Sequence, residues 1–158
     1  MTPDENLMPH ARMICLLLCL VAGLAQPAFA EADDRPLVKL PQEIEYSGAP
    51  DQLQSAVVFG DPTKPGLYVQ RFRFPPGLKV PPHWHPEEMR TVVVLSGTLY
   101  YAFGENWDEK KLTALPPGSF FYEPPHVPHF AWAKDGEVIL QLTAIGPSGT
   151  TMIPQRPQ

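Results

Sequence analysis

The stretch that decides the fold is Gly77–Gly97, which reads GLKVPPHWHPEEMRTVVVLSG. It places His83 and His85 shortly before a β-branched run that ends at Gly97. Alternate residues of an extended chain point to the same face, so these two imidazoles are presented to one point. Imidazole is a common ligand of Zn, Fe, Ni and Cu in proteins. The pattern therefore predicts part of a metal site on an extended segment.

A second histidine-containing stretch lies downstream, at residues 117–129, and reads PGSFFYEPPHVPH. It contributes His126 and His129, and beyond residue 30 the sequence has no histidine outside these two stretches. Histidines beside proline turns are often simple surface residues, which is the alternative interpretation. Two clusters in a chain otherwise poor in histidine favour metal binding instead.

Proline and glycine interrupt the whole chain, with 21 prolines and 11 glycines among 158 residues. Both residue types break helices and strands, and no apolar pattern of helical period and length is present. About eight or nine short strands separated by turns are predicted, which is the pattern of an all-β sandwich or barrel. The net charge of -5, with no run of Lys or Arg, argues against nucleic acid as a partner.

The first thirty residues have the composition of an export signal. Met13–Ala25 is a continuous apolar run, shorter than the ~20 residues of a membrane span. Ala28-Phe29-Ala30 follows it and resembles a cleavage site. We expect a signal peptide over residues 1–30, with translation starting at Met1 or Met8; an uncleaved anchor or a buried helix is the alternative. The predicted location is periplasmic or secreted, with no membrane association after cleavage.

The chain beyond the predicted signal divides by composition into three parts. Residues 31–52 are polar and proline-rich and form an N-terminal arm, residues 53–145 carry the predicted strands, and residues 146–158 have the composition of a loose tail. Both cysteines, Cys15 and Cys19, lie within the predicted signal, so the mature protein is expected to have no disulfide and no thiol chemistry.

The two histidine stretches resemble the two sequence motifs of the cupin family. Gly77–Gly97 is similar to the first, G(X)5HXH(X)3–4E(X)6G, and residues 117–129 to the second, PG(X)5P(X)4H. The resemblance implies a double-stranded β-helix (jelly-roll) cupin barrel. It also implies one divalent transition metal inside, Fe, Mn, Ni or Zn, held by His83, His85 and His129. His126 stands where small cupins often have glycine, so we expect it near the pocket mouth and not as a ligand.

The carboxylate of the first motif is where this sequence departs from the family. Counting back from Gly97, the motif glutamate falls on Arg90. On a regular strand Glu88 shares the facing of Arg90, so Glu88 is predicted to become the fourth ligand. Alternatively the metal has only three histidines and open water positions. In that case Glu87 and Glu88 form a solvated turn, or Glu88 forms an ion pair with Arg90.

Arg90 is the predicted substrate-binding residue. A guanidinium facing inward can hold a substrate carboxylate with two hydrogen bonds beside the metal. Burial of its charge requires a partner, for which Glu88, Glu123 or a bound acid are the candidates. The alternative is that Arg90 points outward from an edge strand.

The resemblance implies a metal-dependent enzyme that acts on a small organic molecule, in a dioxygenase-like or an isomerase- or lyase-like reaction. An alternative of another class is a non-catalytic ligand-binding or sensing cupin, with a structural metal or none. A third is a cupin that has lost its metal, with Arg90 as the sign of that loss. Proteins resembling this family often form dimers, so the arm could pair with a second copy in a homodimer.

Overall fold

The computed structural model describes residues 36–155, so the predicted signal peptide at residues 1–30 lies outside the described residues. Within that range no helix is long and apolar enough to cross a bilayer. Two short 3-10 helices are present, Pro41–Glu43 and Glu109–Lys111. The strands are β1 (Gln54–Phe59), β2 (Gly66–Phe74), β3 (Lys79–Trp84), β4 (Arg90–Ser96), β5 (Leu99–Phe103), β6 (Thr113–Leu115), β7 (Phe120–Tyr122), β8 (His129–Trp132), β9 (Val138–Gly146) and β10 (Thr151–Met152).

These strands form two five-stranded antiparallel sheets, in the orders β1-β2-β9-β4-β7 and β10-β3-β8-β5-β6. Strands that are neighbours in sequence often lie in opposite sheets, as β3 and β4 do, so the chain crosses repeatedly between the two layers. This is the double-stranded β-helix, or jelly roll, that the sequence predicted. The all-β prediction is confirmed.

Alternate residues of the long strands are buried, and these residues face the interior of the barrel. In β9 the side chains of Val138, Leu140, Leu142 and Ala144 are all buried, while the residues between them are half-buried. Arg90, the first residue of β4, pairs with Ala144 and is buried like it. Because alternate residues share a face, the register of β4 against β9 turns Arg90 inward. The alternative of an outward Arg90 is excluded.

β3 brings the first histidine stretch against the second. It pairs with β8, with a register irregularity between Val80 and His83. Pro81 and Pro82 fall in this interval, and proline has no N–H to donate to a ladder. Regular pairing resumes with His83 directly opposite His129. The fold thus places two residues that are 46 positions apart in sequence side by side inside the barrel.

The segment after Gly146 lies along β3. Thr151 and Met152 pair with Trp84 and His83 as β10, and the Ile153 N–H donates to the Pro82 carbonyl at 2.9 Å. Residues 148–155, which we call the C-terminal strap, are therefore held by main-chain contacts. The composition of this segment predicts a loose tail. Its strand is not predicted, because two residues are too few to show a period-two pattern in the sequence.

Gly97 closes the turn between β4 and β5, and we predict that Gly97→Ala destabilises the fold. Its φ of 72° is left-handed, and a Cβ there would collide with the Glu137 carbonyl oxygen. We expect a loss of about 2 kcal/mol or more in the free energy of unfolding, measured with urea. Gly118→Ala is the control, since Gly118 also has a positive φ of 88° but has open space around it. Equal losses for both variants would contradict the argument from the collision.

Candidate metal centre

Three histidines converge inside the barrel. The ring centroids of His83 and His129 are 4.4 Å apart, those of His83 and His85 4.9 Å, and those of His85 and His129 5.2 Å. One ring nitrogen from each lies within 4.8 Å of the other two, and all three residues are buried. These are the distances at which three ligands can share one ion. The sequence-predicted histidines are therefore brought together as a group that could hold a metal.

A main-chain carbonyl fixes the orientation of each ring. The Nδ1 atoms of His83, His85 and His129 lie 2.8, 2.6 and 3.1 Å from the carbonyl oxygens of Pro81, Gly149 and Val127 respectively. A carbonyl oxygen only accepts, so each Nδ1 carries the hydrogen and each Nε2 retains a lone pair. Hydrogen bonding of the second ring nitrogen is the usual support of a histidine metal ligand. The donor set fits a divalent transition metal.

The protonation state of the rings also suits a metal. Burial, and after it the neighbouring His129, lower the pKa of His83 to about 4. Burial is also the main cause that lowers the pKa of His85 and of His129. All three imidazoles are therefore neutral near pH 7, which is the form that binds metal ions.

His126 stays outside the group, as predicted. Its side chain is exposed, and its ring packs on Trp84 with the ring centroids 4.5 Å apart. Its φ is 60°, in the left-handed region where glycine is the usual residue. Its N–H donates to the His85 carbonyl at 2.8 Å. His126 thus belongs to the turn that leads into His129.

Glu123 is the carboxylate nearest to the histidines among the described residues. Its Oε1 lies 3.4 Å from His129 Nε2 and accepts a hydrogen bond from the Tyr101 hydroxyl at 3.3 Å. Its Oε2 accepts from Arg90 Nε at 2.6 Å. Burial alone raises the pKa of Glu123, but His129 and Arg90 outweigh it and leave the pKa below its ordinary value. A buried carboxylate therefore stands beside the histidine group.

Arg90 is ion-paired on two sides. Besides Glu123, its Nη1 donates to Glu87 Oε1 at 3.1 Å and to the Tyr68 hydroxyl oxygen at 3.3 Å. The Tyr68 hydroxyl in turn donates to the same Glu87 oxygen at 2.9 Å. Glu123 is one of the ion-pair partners expected for Arg90 from the sequence, and Glu87, not Glu88, is the second partner. Within residues 36–155, Nη2 makes no hydrogen bond.

Glu88 is not brought to the histidine group. Its side chain is exposed, and its main-chain carbonyl accepts a hydrogen bond from the Tyr122 hydroxyl at 3.1 Å. Glu88 does not share the inward facing of Arg90, because β4 begins only at Arg90 and Pro86–Met89 lies outside any strand. Glu87 is the buried member of this acidic pair. The role of Glu88 as a fourth ligand stays a prediction.

A cavity of about 370 Å³ adjoins the three histidines. Arg90, Glu123 and Tyr101 lie at its polar end with the histidines, while apolar side chains line most of the rest. The C-terminal strap contributes Ser148, Thr150 and Met152 to the wall. The docked strap was not predicted from the sequence, and Glu123 was predicted only as a possible partner of Arg90. The position of Glu123 within the second motif was the available signal.

Comparison with known proteins agrees with this architecture. Residues 70–146 match the family model described as a cupin domain. Germin-like protein 5-1 of Oryza sativa subsp. japonica is 34% identical over 67 residues, which are 41% of this chain and 29% of that protein. The chain thus spans less than a third of the length of that relative. The domain match and the fold together support a small cupin.

Solved structures share the fold at low sequence identity. The polyketide cyclase RemF from Streptomyces resistomycificus superposes with a TM-score of 0.63 at 13% identity, covering 76% of this chain and 87% of that chain. Oxalate oxidase in complex with the substrate analogue glycolate has a TM-score of 0.55 at 20% identity, covering 75% of this chain and 63% of that chain. These likenesses show the cupin-type fold alone.

Proposed function

We propose that this protein is an exported cupin enzyme that uses one divalent transition metal to act on a small organic molecule. The observation that carries the proposal is the convergence of three neutral, oriented imidazoles on a cavity that also contains Glu123 and Arg90. A site with three protein ligands leaves coordination positions for a substrate, whereas a purely structural site is closed by four. Two enzymes, a polyketide cyclase and an oxalate oxidase, share this fold.

His83, His85 and His129 would hold the metal. When bound, such an ion polarises an oxygen ligand or activates water or O₂. The other groups act directly on a molecule in the cavity. Arg90 Nη2 is free to donate a hydrogen bond to a substrate oxygen, which keeps Arg90 in the proposed substrate-binding role. Glu123 Oε1, held by Tyr101, is positioned to accept a hydrogen bond or a proton. Most of the surrounding wall is apolar.

Export rests on the predicted signal peptide at residues 1–30.

A dioxygenase-like reaction and an isomerase- or lyase-like reaction both fit a metal flanked by an acid–base group. Only the dioxygenase-like reaction consumes oxygen, so oxygen consumption distinguishes the two. We expect turnover of a small organic acid or phenol by the metal-loaded protein, followed with an oxygen electrode and by product analysis. Elemental analysis of the untagged protein should give about one metal per chain. Absence of metal after reconstitution with Fe, Mn, Ni and Zn would overturn the proposal.

Two matched substitutions decide which carboxylate supports the metal. We expect Glu123→Gln to weaken metal affinity by about tenfold, because this carboxylate lies beside His129 Nε2. Glu88→Gln should have a smaller effect, because Glu88 is exposed. Competition with a chromophoric chelator measures both affinities. A larger loss for Glu88→Gln would instead establish Glu88 as the ligand predicted from the motif.

A further inference from the structure

The charges around the cavity nearly cancel. Among the described residues 36–155 that line the cavity, Arg90 and Glu123 are the only charged side chains. Glu87 also pairs with Arg90, so two carboxylates face one guanidinium and leave one negative charge in excess. Histidine binds a metal ion as the neutral imidazole, so the three rings add no charge to this sum. With a divalent ion on the histidines, the sum becomes a single positive charge.

The net charge around the cavity affects ligand binding because the charged groups are buried. The side chains of Glu87, Arg90 and Glu123 are exposed by only 0%, 8% and 7%. An uncompensated charge in such surroundings is costly, and water screens it little. Arg90 is already neutralised, so it can contribute a hydrogen bond but not a net charge toward a second carboxylate. A ligand with two negative charges would therefore carry one of them unpaired.

The wall of the cavity indicates the rest of the ligand. Phe72, Val80 and Phe121 line the cavity and are only half-buried in the structure, so they have apolar surface left to cover. Covering such surface is favourable in proportion to the apolar area removed from water. The volume of about 370 Å³ lies in the usual range for small-molecule sites. A ligand of two or three heavy atoms would leave this wall uncovered.

We infer that the cavity takes an apolar, ring-sized organic molecule that binds through oxygen as a monoanion, and that Glu87, Arg90 and Glu123 set this preference against dianions. The inference rests on the proposed function, since the histidine-bound ion supplies the balancing charge. It specifies the substrate class, which the proposed function leaves open.

Binding of three simple acids distinguishes the effect of ligand charge from the effect of apolar contact. Titration calorimetry would use the purified Zn²⁺-loaded protein with benzoate, isophthalate and acetate. Benzoate and isophthalate have the same ring but carry one and two negative charges, while acetate carries one charge and no ring. We expect benzoate to bind about tenfold more tightly than isophthalate, because of the unpaired charge. It should also bind about tenfold more tightly than acetate, because of the ring.

Glu123→Gln tests the origin of the charge preference. Removing one carboxylate charge should narrow the gap between benzoate and isophthalate by about tenfold. Glu87→Gln removes the same charge from the other side of Arg90 and is the second variant. Glu45→Gln is the matched control, because Glu45 is exposed, and it should leave the gap unchanged. A preference caused only by the size of isophthalate would persist in all three variants.

The outcomes distinguish this inference from the proposed function. The predicted order of affinities, with a narrower gap in Glu123→Gln or Glu87→Gln, supports the inference. Equal or tighter binding of isophthalate by the Zn²⁺-loaded wild-type protein overturns it, as does a gap that neither variant narrows, and the proposed function survives in both cases. Elemental analysis of each titrated sample verifies the metal. A wild-type protein that retains no Zn²⁺ overturns the proposed function and the inference together.

Discussion

His129→Ala is expected to lower metal affinity by about a thousandfold or more. His129 supplies one of three converging Nε2 atoms, and its Nδ1 is held by the Val127 carbonyl oxygen at 3.1 Å. We expect the two remaining imidazoles to lose a divalent ion on dialysis. The measurement is elemental analysis after dialysis, together with competition against a chromophoric chelator.

His126→Ala is the matched control for this loss. His126 lies three positions before His129, in the turn that leads into it, but it is exposed and outside the histidine group. We expect its metal content to equal that of the wild-type protein. If His129→Ala retained metal as well as His126→Ala does, the three-histidine centre would be wrong, and the proposed enzyme with it.

Among the substitutions discussed, Arg90→Met is expected to cause the largest loss in the free energy of unfolding. It leaves Glu87 and Glu123 buried without the guanidinium that pairs with both. Removing one partner of a buried ion pair typically costs about 3–5 kcal/mol. Urea unfolding would measure this loss. The triple variant that also carries Glu87→Gln and Glu123→Gln should recover much of it, because no uncompensated charge then remains.

Arg73→Met provides the comparison on the protein surface. Arg73 Nε lies 3.7 Å from Glu137 Oε2, and the two side chains are 38% and 50% exposed. Water screens such a pair, so we expect a loss of about 1 kcal/mol or less. A similar loss for Arg90→Met would mean that the buried network contributes no more than a surface pair does.

The resemblance of the two histidine stretches to the cupin motifs was sufficient to predict the barrel and the three metal-binding candidates. His83 and His85 could be paired by the period of an extended chain, and His129 was reached through the resemblance to the second motif. The inward orientation of Arg90 required the register between β4 and β9, which long-range pairing fixes and a local pattern does not show. β3 itself was not predicted as a strand, because Pro81 and Pro82 argue against one.

Two further features of the site could not be predicted from the sequence for the same physical reason. Glu88 was preferred over Glu87 on the assumption of regular alternation, but Pro86–Met89 lies outside any strand. Gly149 could not be connected with His85, because the hydrogen bond between them spans 64 positions. A glycine carbonyl carries no side-chain signal that a sequence pattern could reveal.

That long-range hydrogen bond has a consequence for biogenesis. His85 and His83 are synthesised well before Gly149, and His85 obtains its final ring orientation only when the C-terminal strap docks on β3. At the proposed metal centre, capture of the ion at full affinity would therefore follow translation of the barrel rather than accompany it. If the protein is exported unfolded, the ion is acquired in the destination compartment, and metal availability there, not in the cytoplasm, decides which element occupies the centre.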